Sequence, residues 1–121
     1  MNKIEQAVIY NKILGSLACA GMGDALGAAT ELYSIDEIKT QWGGFLNAFV
    51  SPPADTFAGS LNGVAGLITD DSSQMYVFSE GLIEAGFDNF TNNDWLACLL
   101  RWADMQPYAN YKGPTVMLPT Y

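Results

Sequence analysis

Four oxygen-bearing side chains in a row, Thr69-Asp70-Asp71-Ser72, stand between an apolar approach, Val64 to Ile68, and an amphipathic run, Met75 to Ile83. No other stretch constrains the chain as strongly. Thr69 has the short hydroxyl of a helix N-cap, and Asp70 and Asp71 fall in the first turn, where negative charge meets the positive end of the helix dipole. The pattern predicts a helix over residues 70–85, with Gly86 as its stop. Met75, Phe78, Leu82 and Ile83 recur at helical spacing and are its expected buried stripe. The same oxygens also suit a hard cation, because Mg²⁺, Mn²⁺ and Ca²⁺ prefer carboxylate and hydroxyl ligands. On the tetrapeptide alone both readings stand, and the capped helix start is the commoner of the two.

A second segment carries more acids. Residues 3–30 read as one long helix, with Ile4, Val8, Ile9, Ile13, Leu14 and Leu17 as an apolar stripe. Gly15, Gly23 and Gly27 each weaken a helix by up to about 1 kcal/mol relative to Ala. Three such costs predict that something approaches this helix backbone closely, and Gly23 and Gly27, four apart, share a face. Packing of helix 70–85 against that face is the expected arrangement. Asp24 and Glu31 are seven apart and lie near one face of the same helix. Glu31, at the expected helix C-terminus, opposes the macrodipole, a local rule broken without visible compensation.

Charge and composition remove whole classes of function. Lys and Arg total 5 against 13 Asp and Glu, a net charge of −8, which excludes the basic footprint of a nucleic-acid binder and adsorption to anionic membranes. The chain has no His, so any metal must be held by oxygen or, less plausibly, by thiols. Cys19 and Cys98 are far apart in apolar segments with no Cys-x-x-Cys, and the expectation is two buried free thiols in a reducing cytoplasm. Ile13 to Gly23 is apolar, but Glu5 and Gln6 spoil a positive n-region, and Ser16 stands where a lipoprotein-type signal wants Leu. A helix of the folded protein is therefore expected there rather than an export signal, and no run approaches the roughly 20 apolar residues that span a bilayer. With 121 residues and half of them hydrophobic, the chain can form one small domain with a core.

The remaining segments read as connectors and shorter helices. Ser34-Ile-Asp-Glu37 is a capping box that opens a helix to about Gln41, ended by Trp42-Gly43-Gly44. Phe45 to Val50 is apolar and is expected to be extended, and Ser51 to Thr56 is a loop in which Pro52 and Pro53 forbid regular helix bonding. Thr91-Asn-Asn-Asp94 starts a helix through Trp95, Leu99 and Trp102 to about Met105. Arg101, the single arginine, reads equally as a solvated charge or as a partner for an acid. Pro107 to Tyr121 is loop-like.

A Gly-Asp-Ala-Leu-Gly helix (residues 23–27) ending in Glu31, followed some forty residues later by Ala-Gly-Leu-Ile-Thr-Asp-Asp-Ser (residues 65–72), resembles the ADP-ribosylglycohydrolase family. Gly43-Gly44 and Tyr111-Lys-Gly-Pro-Thr115 are similar to further segments of that family. The resemblance implies an all-α fold, the helical ADP-ribosylglycohydrolase-like fold, of which residues 1–121 form the N-terminal part of a single domain. It implies a hydrolase that removes ADP-ribose from a modified side chain or a small acceptor, by cleaving an N- or O-glycosidic bond. It also implies a centre of two Mg²⁺ ions, with Mn²⁺ as an alternative. Carried over by position, Thr69, Asp70 and Asp71 are metal ligands, Glu31 and Asp71 are catalytic, Asp24 and Ser72 support the ligands from behind, and Gly113 binds substrate. The resemblance further implies that Asp24, Glu31, Thr69, Asp70 and Asp71 converge on one cleft.

The chain departs from the family pattern in lacking the C-terminal Asp-x-Asp ligands and the Gly-Asn-Gly segment. Val116-Met-Leu-Pro119 also strains the helix that follows Gly-Pro-Thr in the family. It thus reads as an N-terminal portion: a truncation, a cleavage product or one piece of a split protein. The expectation is a chain that binds metal weakly and hydrolyses nothing alone. Its expected partners are itself or a complementary C-terminal polypeptide, and an ADP-ribosylated protein or small ADP-ribosyl compound, with no nucleic acid and no membrane. The competing reading is a non-catalytic relative that serves as a structural or binding module.

Overall fold

A computed structural model describes residues 2–60 and 63–105. Every regular element among them is helical, and no strand is present, so the chain is all-α as expected. It divides into two compact units, Met1–Thr69 and Asp70–Tyr121.

The first unit contains α1 (Lys3–Gly27), α2 (Ile35–Trp42) and the single-turn α3 (Phe57–Ser60). α1 starts at an Asn2 capping box, in which Asn2 Oδ1 accepts from the Ile4 and Glu5 amides and Glu5 accepts from the Asn2 amide. It ends at Gly27, three residues before the expected limit, and the chain runs on in turns through Leu32. Glu31 therefore follows the helix rather than opposing its dipole. Ser34 and Glu37 cap α2 reciprocally, and Gly43 closes it in the left-handed conformation at φ 78°. Residues 45–50, expected to be extended, are irregular.

The core of this unit is built from small residues. Ala25, Ala28, Ala29 and Ala58 are buried, whereas Ile4, Val8, Ile9, Ile13 and Leu14 on α1 are exposed. A Cβ at Gly15, Gly23 or Gly27 meets nothing within 4 Å among the described residues. At Gly59, by contrast, it would sit 1.8 Å from the Pro53 carbonyl oxygen, which no side chain tolerates. α3 was not foreseen; its four residues are too few to show a period.

The second unit contains α4 (Asp70–Ala85), a 3₁₀ turn (Phe87–Asn89) and α5 (Asn92–Ala103). α4 has the expected bounds, and Gly86, at φ 79°, donates its amide to the Leu82 carbonyl at 3.0 Å. Thr91 and Asp94 cap α5 reciprocally, as the sequence predicts. The two helices pack at a glycine: a Cβ on Gly81 would lie 2.3 Å from Cys98 Sγ. Phe78 and Trp95 stack at 3.9 Å between centroids. The buried residues of α4 are Ser72, Ser73, Val77 and Gly81, not the expected stripe. Ile83 is 81% exposed, and Met75, Phe78 and Leu82 are half-buried. The stripe lies about one position off because small residues admit α5 close to the α4 backbone. Cys98 is buried as expected, but Cys19 is exposed; both thiols are free.

Arg101 has partners. Its guanidinium donates to the Val77 carbonyl at 3.0 Å and to Glu80 at 3.2 Å, with Glu84 at 3.4 Å. The carboxylates are solvent-exposed, so these ion pairs contribute at most about 1 kcal/mol each. No helix among the described residues is long and apolar enough to cross a membrane.

Candidate functional site

Asp24 and Thr69, 45 residues apart, meet within the first unit. Asp24 projects from the last turns of α1, and both of its carboxylate oxygens are used on Thr69. Oδ2 accepts from the Thr69 amide at 2.9 Å, and Oδ1 accepts from the Thr69 hydroxyl at 2.6 Å. Thr69 is only 5% exposed, so water competes poorly for these bonds. The pair fixes the direction of the hydroxyl proton. Because Thr69 Oγ1 donates to Asp24, its acceptor side is turned away from that carboxylate.

Asp70 and Asp71 open α4 in the second unit, Asp70 half-buried and Asp71 exposed. Ser72, in the same turn, is buried. The donor set of the tetrad is hydroxyl and carboxylate oxygen throughout, which fits a hard divalent cation and suits no soft metal. Thr69, Asp70 and Asp71 would hold it, and a hydroxyl ligand that donates its proton to a carboxylate is the second half of that fit. No three of His, Cys, Asp and Glu come together as a cation-binding group among the described residues, so Thr69, Asp70 and Asp71 make a partial ligand set.

Glu31 lines a pocket of about 200 Å³ together with Leu32, Tyr33, Glu37, Asp55 and Thr56. The backbone beside it is strained. Leu32 has φ 68°, a left-handed conformation that costs a branched side chain about 1–2 kcal/mol, and it is 96% exposed. Tyr33 donates its phenol proton to Asp55 at 3.3 Å. Partial burial first, and the negative charge of Asp55 second, push the Tyr33 phenol above its ordinary range. Glu37, also on this pocket, is held below the usual carboxylate range by the Ser34 hydroxyl and then the Ser34 amide.

Gly113 lies outside the described residues, as does the Gly-Pro-Thr segment. A wider groove of about 580 Å³ lies along α4 and α5 around Phe78, Leu82 and Trp95; none of its lining residues is an acid or a base, so it offers no group for proton transfer. Sequence reasoning missed Ser73 and Trp102. Ser73 Oγ accepts from the Trp102 indole N–H at 2.7 Å and donates to the Asp70 carbonyl at 3.2 Å. A buried Trp requires a partner for its indole proton, but nothing in the sequence says which hydroxyl supplies it.

The family model for ADP-ribosylglycohydrolases matches residues 5–118. The chain belongs to the ADP-ribosylglycohydrolase family. Searches among curated proteins and among solved structures returned no match.

Proposed function

We propose that this chain supplies one side of the active site of a metal-dependent glycohydrolase that removes ADP-ribose from a modified side chain or a small acceptor. The family is one of glycohydrolases. The observation that carries the reading is the Asp24–Thr69 pair: an otherwise expendable cap residue is gripped twice by an acid from a distant helix. A helix cap needs no such grip, whereas a cation ligand that must point its oxygen one way does.

Thr69, Asp70 and Asp71 hold divalent cations, two Mg²⁺ in the complete site or Mn²⁺ in their place, with Asp24 and Ser72 supporting them. A divalent cation held by these residues would supply a site for ribose hydroxyls and an acidified water. Breaking the ribosyl C–N or C–O bond builds positive charge on the sugar. Glu31 faces that charge, and Asp71 accepts the proton of the attacking water. The strained Leu32 backbone next to Glu31 supports a functional role for that turn. Gly113 contacts the substrate.

The chain acts as part of a single all-α domain, with a complementary polypeptide carrying Asp-x-Asp or through association with its own kind. The exposed apolar residues of α1 support this, because Ile4, Val8, Ile13 and Leu14 gain from being covered. It works in the cytoplasm, in keeping with two free thiols. The test is release of ADP-ribose from modified arginine and serine substrates, with Mg²⁺ and the complementary polypeptide present or withheld. Metal-dependent release only on complementation is expected. Turnover by the 121-residue monomer overturns the need for a partner. Failure on every ADP-ribosyl substrate favours a non-catalytic binding module instead.

A further inference from the structure

Asp70 begins α4, where the first-turn N–H groups have no intrahelical carbonyl to bond and helix ends fray. A hydroxyl inside this turn, Ser73, is held from α5. Ser73 and Trp102 are each only 4% exposed, and they come from helices whose bonded residues lie 29 positions apart. The indole N–H is a donor only, so the direction of the chain of bonds is set. Trp102 Nε1 donates to Ser73 Oγ at 2.7 Å, and the Ser73 hydroxyl passes its own proton to the Asp70 carbonyl at 3.2 Å. A hydroxyl that accepts while it donates is polarised, so the two bonds strengthen each other. The preceding residue of α5, Arg101, takes the Val77 carbonyl at 3.0 Å one turn further along α4. Two consecutive α5 residues therefore hold the α4 backbone at two turns.

We propose that Trp102 and Ser73 are positioning residues for the cation-binding turn, fixing the Asp70 backbone so that the Asp70 and Asp71 carboxylates are presented in one arrangement. This rests on the reading of Thr69, Asp70 and Asp71 as cation ligands. It adds a remote indole to the ligand support, through a path that touches neither carboxylate.

The test is a Mn²⁺ titration of the 121-residue chain followed by electron paramagnetic resonance, well below the melting temperature of each variant. Ser73→Ala and Trp102→Phe should each weaken Mn²⁺ binding by about tenfold, in line with loss of an outer partner of a metal ligand. The double variant should be no weaker than either single one, since both break the same chain of bonds. Asp70→Ala should lose binding. If Ser73→Ala and Trp102→Phe bind Mn²⁺ like the unaltered chain and only melt earlier, the pair is a packing contact and the proposal fails, while the cation reading stands. If Asp70→Ala binds Mn²⁺ unchanged, the cation reading fails and the positioning role with it. Should Trp102→Phe not fold, Ser73→Ala, which removes one oxygen, decides the matter alone.

Discussion

Replacing Asp24 by Ala removes both acceptors of the Thr69 clamp at once, the 2.9 Å bond from the amide and the 2.6 Å bond from the hydroxyl. Hydrogen bonds to a charged acceptor contribute about 1.5–3 kcal/mol each. Thr69 is 5% exposed, so its two donors would be left largely without water. The two bonds share one carboxylate and are not additive, so the expected loss is about 3 kcal/mol rather than the sum. Asp24→Asn retains one carbonyl oxygen but sets an NH₂ group against a donor, and should lose about 2 kcal/mol. Thr69→Val removes the hydroxyl bond alone, for about 1.5 kcal/mol. Urea unfolding at neutral pH measures all three, and an unchanged m-value keeps the comparison on stability. The Asp24→Ala/Thr69→Val double variant should then show a coupling of about 1 kcal/mol or more. Asp24→Ala within about 0.5 kcal/mol of the unaltered chain, the scatter of neutral surface changes, would refute the clamp.

Three further outcomes follow from the geometry. Gly81→Ala drives a methyl to 2.3 Å from Cys98 Sγ and should cost about 1–3 kcal/mol in the same unfolding assay, largely restored by adding Cys98→Ala. Leu32→Gly relieves a left-handed leucine that is 96% exposed, and after the entropy cost of glycine it should stabilise the chain by about 0.5–1 kcal/mol; destabilisation would mean the Leu side chain has a packing role. Glu37 and Asp94 are held below their ordinary range by the hydroxyls and then the amides of Ser34 and Thr91. A lowered folded-state value means the capping contribution is complete above the ordinary carboxylate range and fades as pH falls through the lower folded values. Amide shifts of Ser34 and Thr91 should therefore titrate at acid pH, and Glu37→Gln and Asp94→Asn should flatten them.

How far the chain could be read depended on whether a residue acts locally. The bounds of α4, its Gly86 stop and the capping boxes at Ser34 and Thr91 were all legible, because each rests on residues within four positions of one another. The family was legible for a similar reason, in two short motifs. The buried face of α4 was not. Hydrophobic spacing pointed to Ile83, yet small Ser72, Ser73 and Gly81 face inward, since close approach of α5 is a property of two helices and not of one. Among the described residues the glycines that leave no room for a Cβ are Gly59, Gly63 and Gly81, which no periodic pattern in the sequence singles out. At the site, Asp24 was picked out by its motif, but its two bonds to Thr69 span 45 residues and needed coordinates. Glu31 lines a pocket with Glu37 and Asp55, a grouping across 24 positions that no local pattern in the sequence announces.

The proposal on which the rest depends is that Thr69, Asp70 and Asp71 hold a divalent cation. Nuclear magnetic resonance of the ¹⁵N-labelled chain during addition of trace Mn²⁺ tests it directly, because a bound paramagnetic ion broadens the amides nearest to it. Signals of Thr69, Asp70, Asp71 and Ser72, with Asp24 behind them, should broaden first, and Asp70→Ala should abolish the selectivity. Broadening that begins instead at Glu31, Glu37 and Asp55, or spreads evenly over the exposed carboxylates, would contradict the assignment.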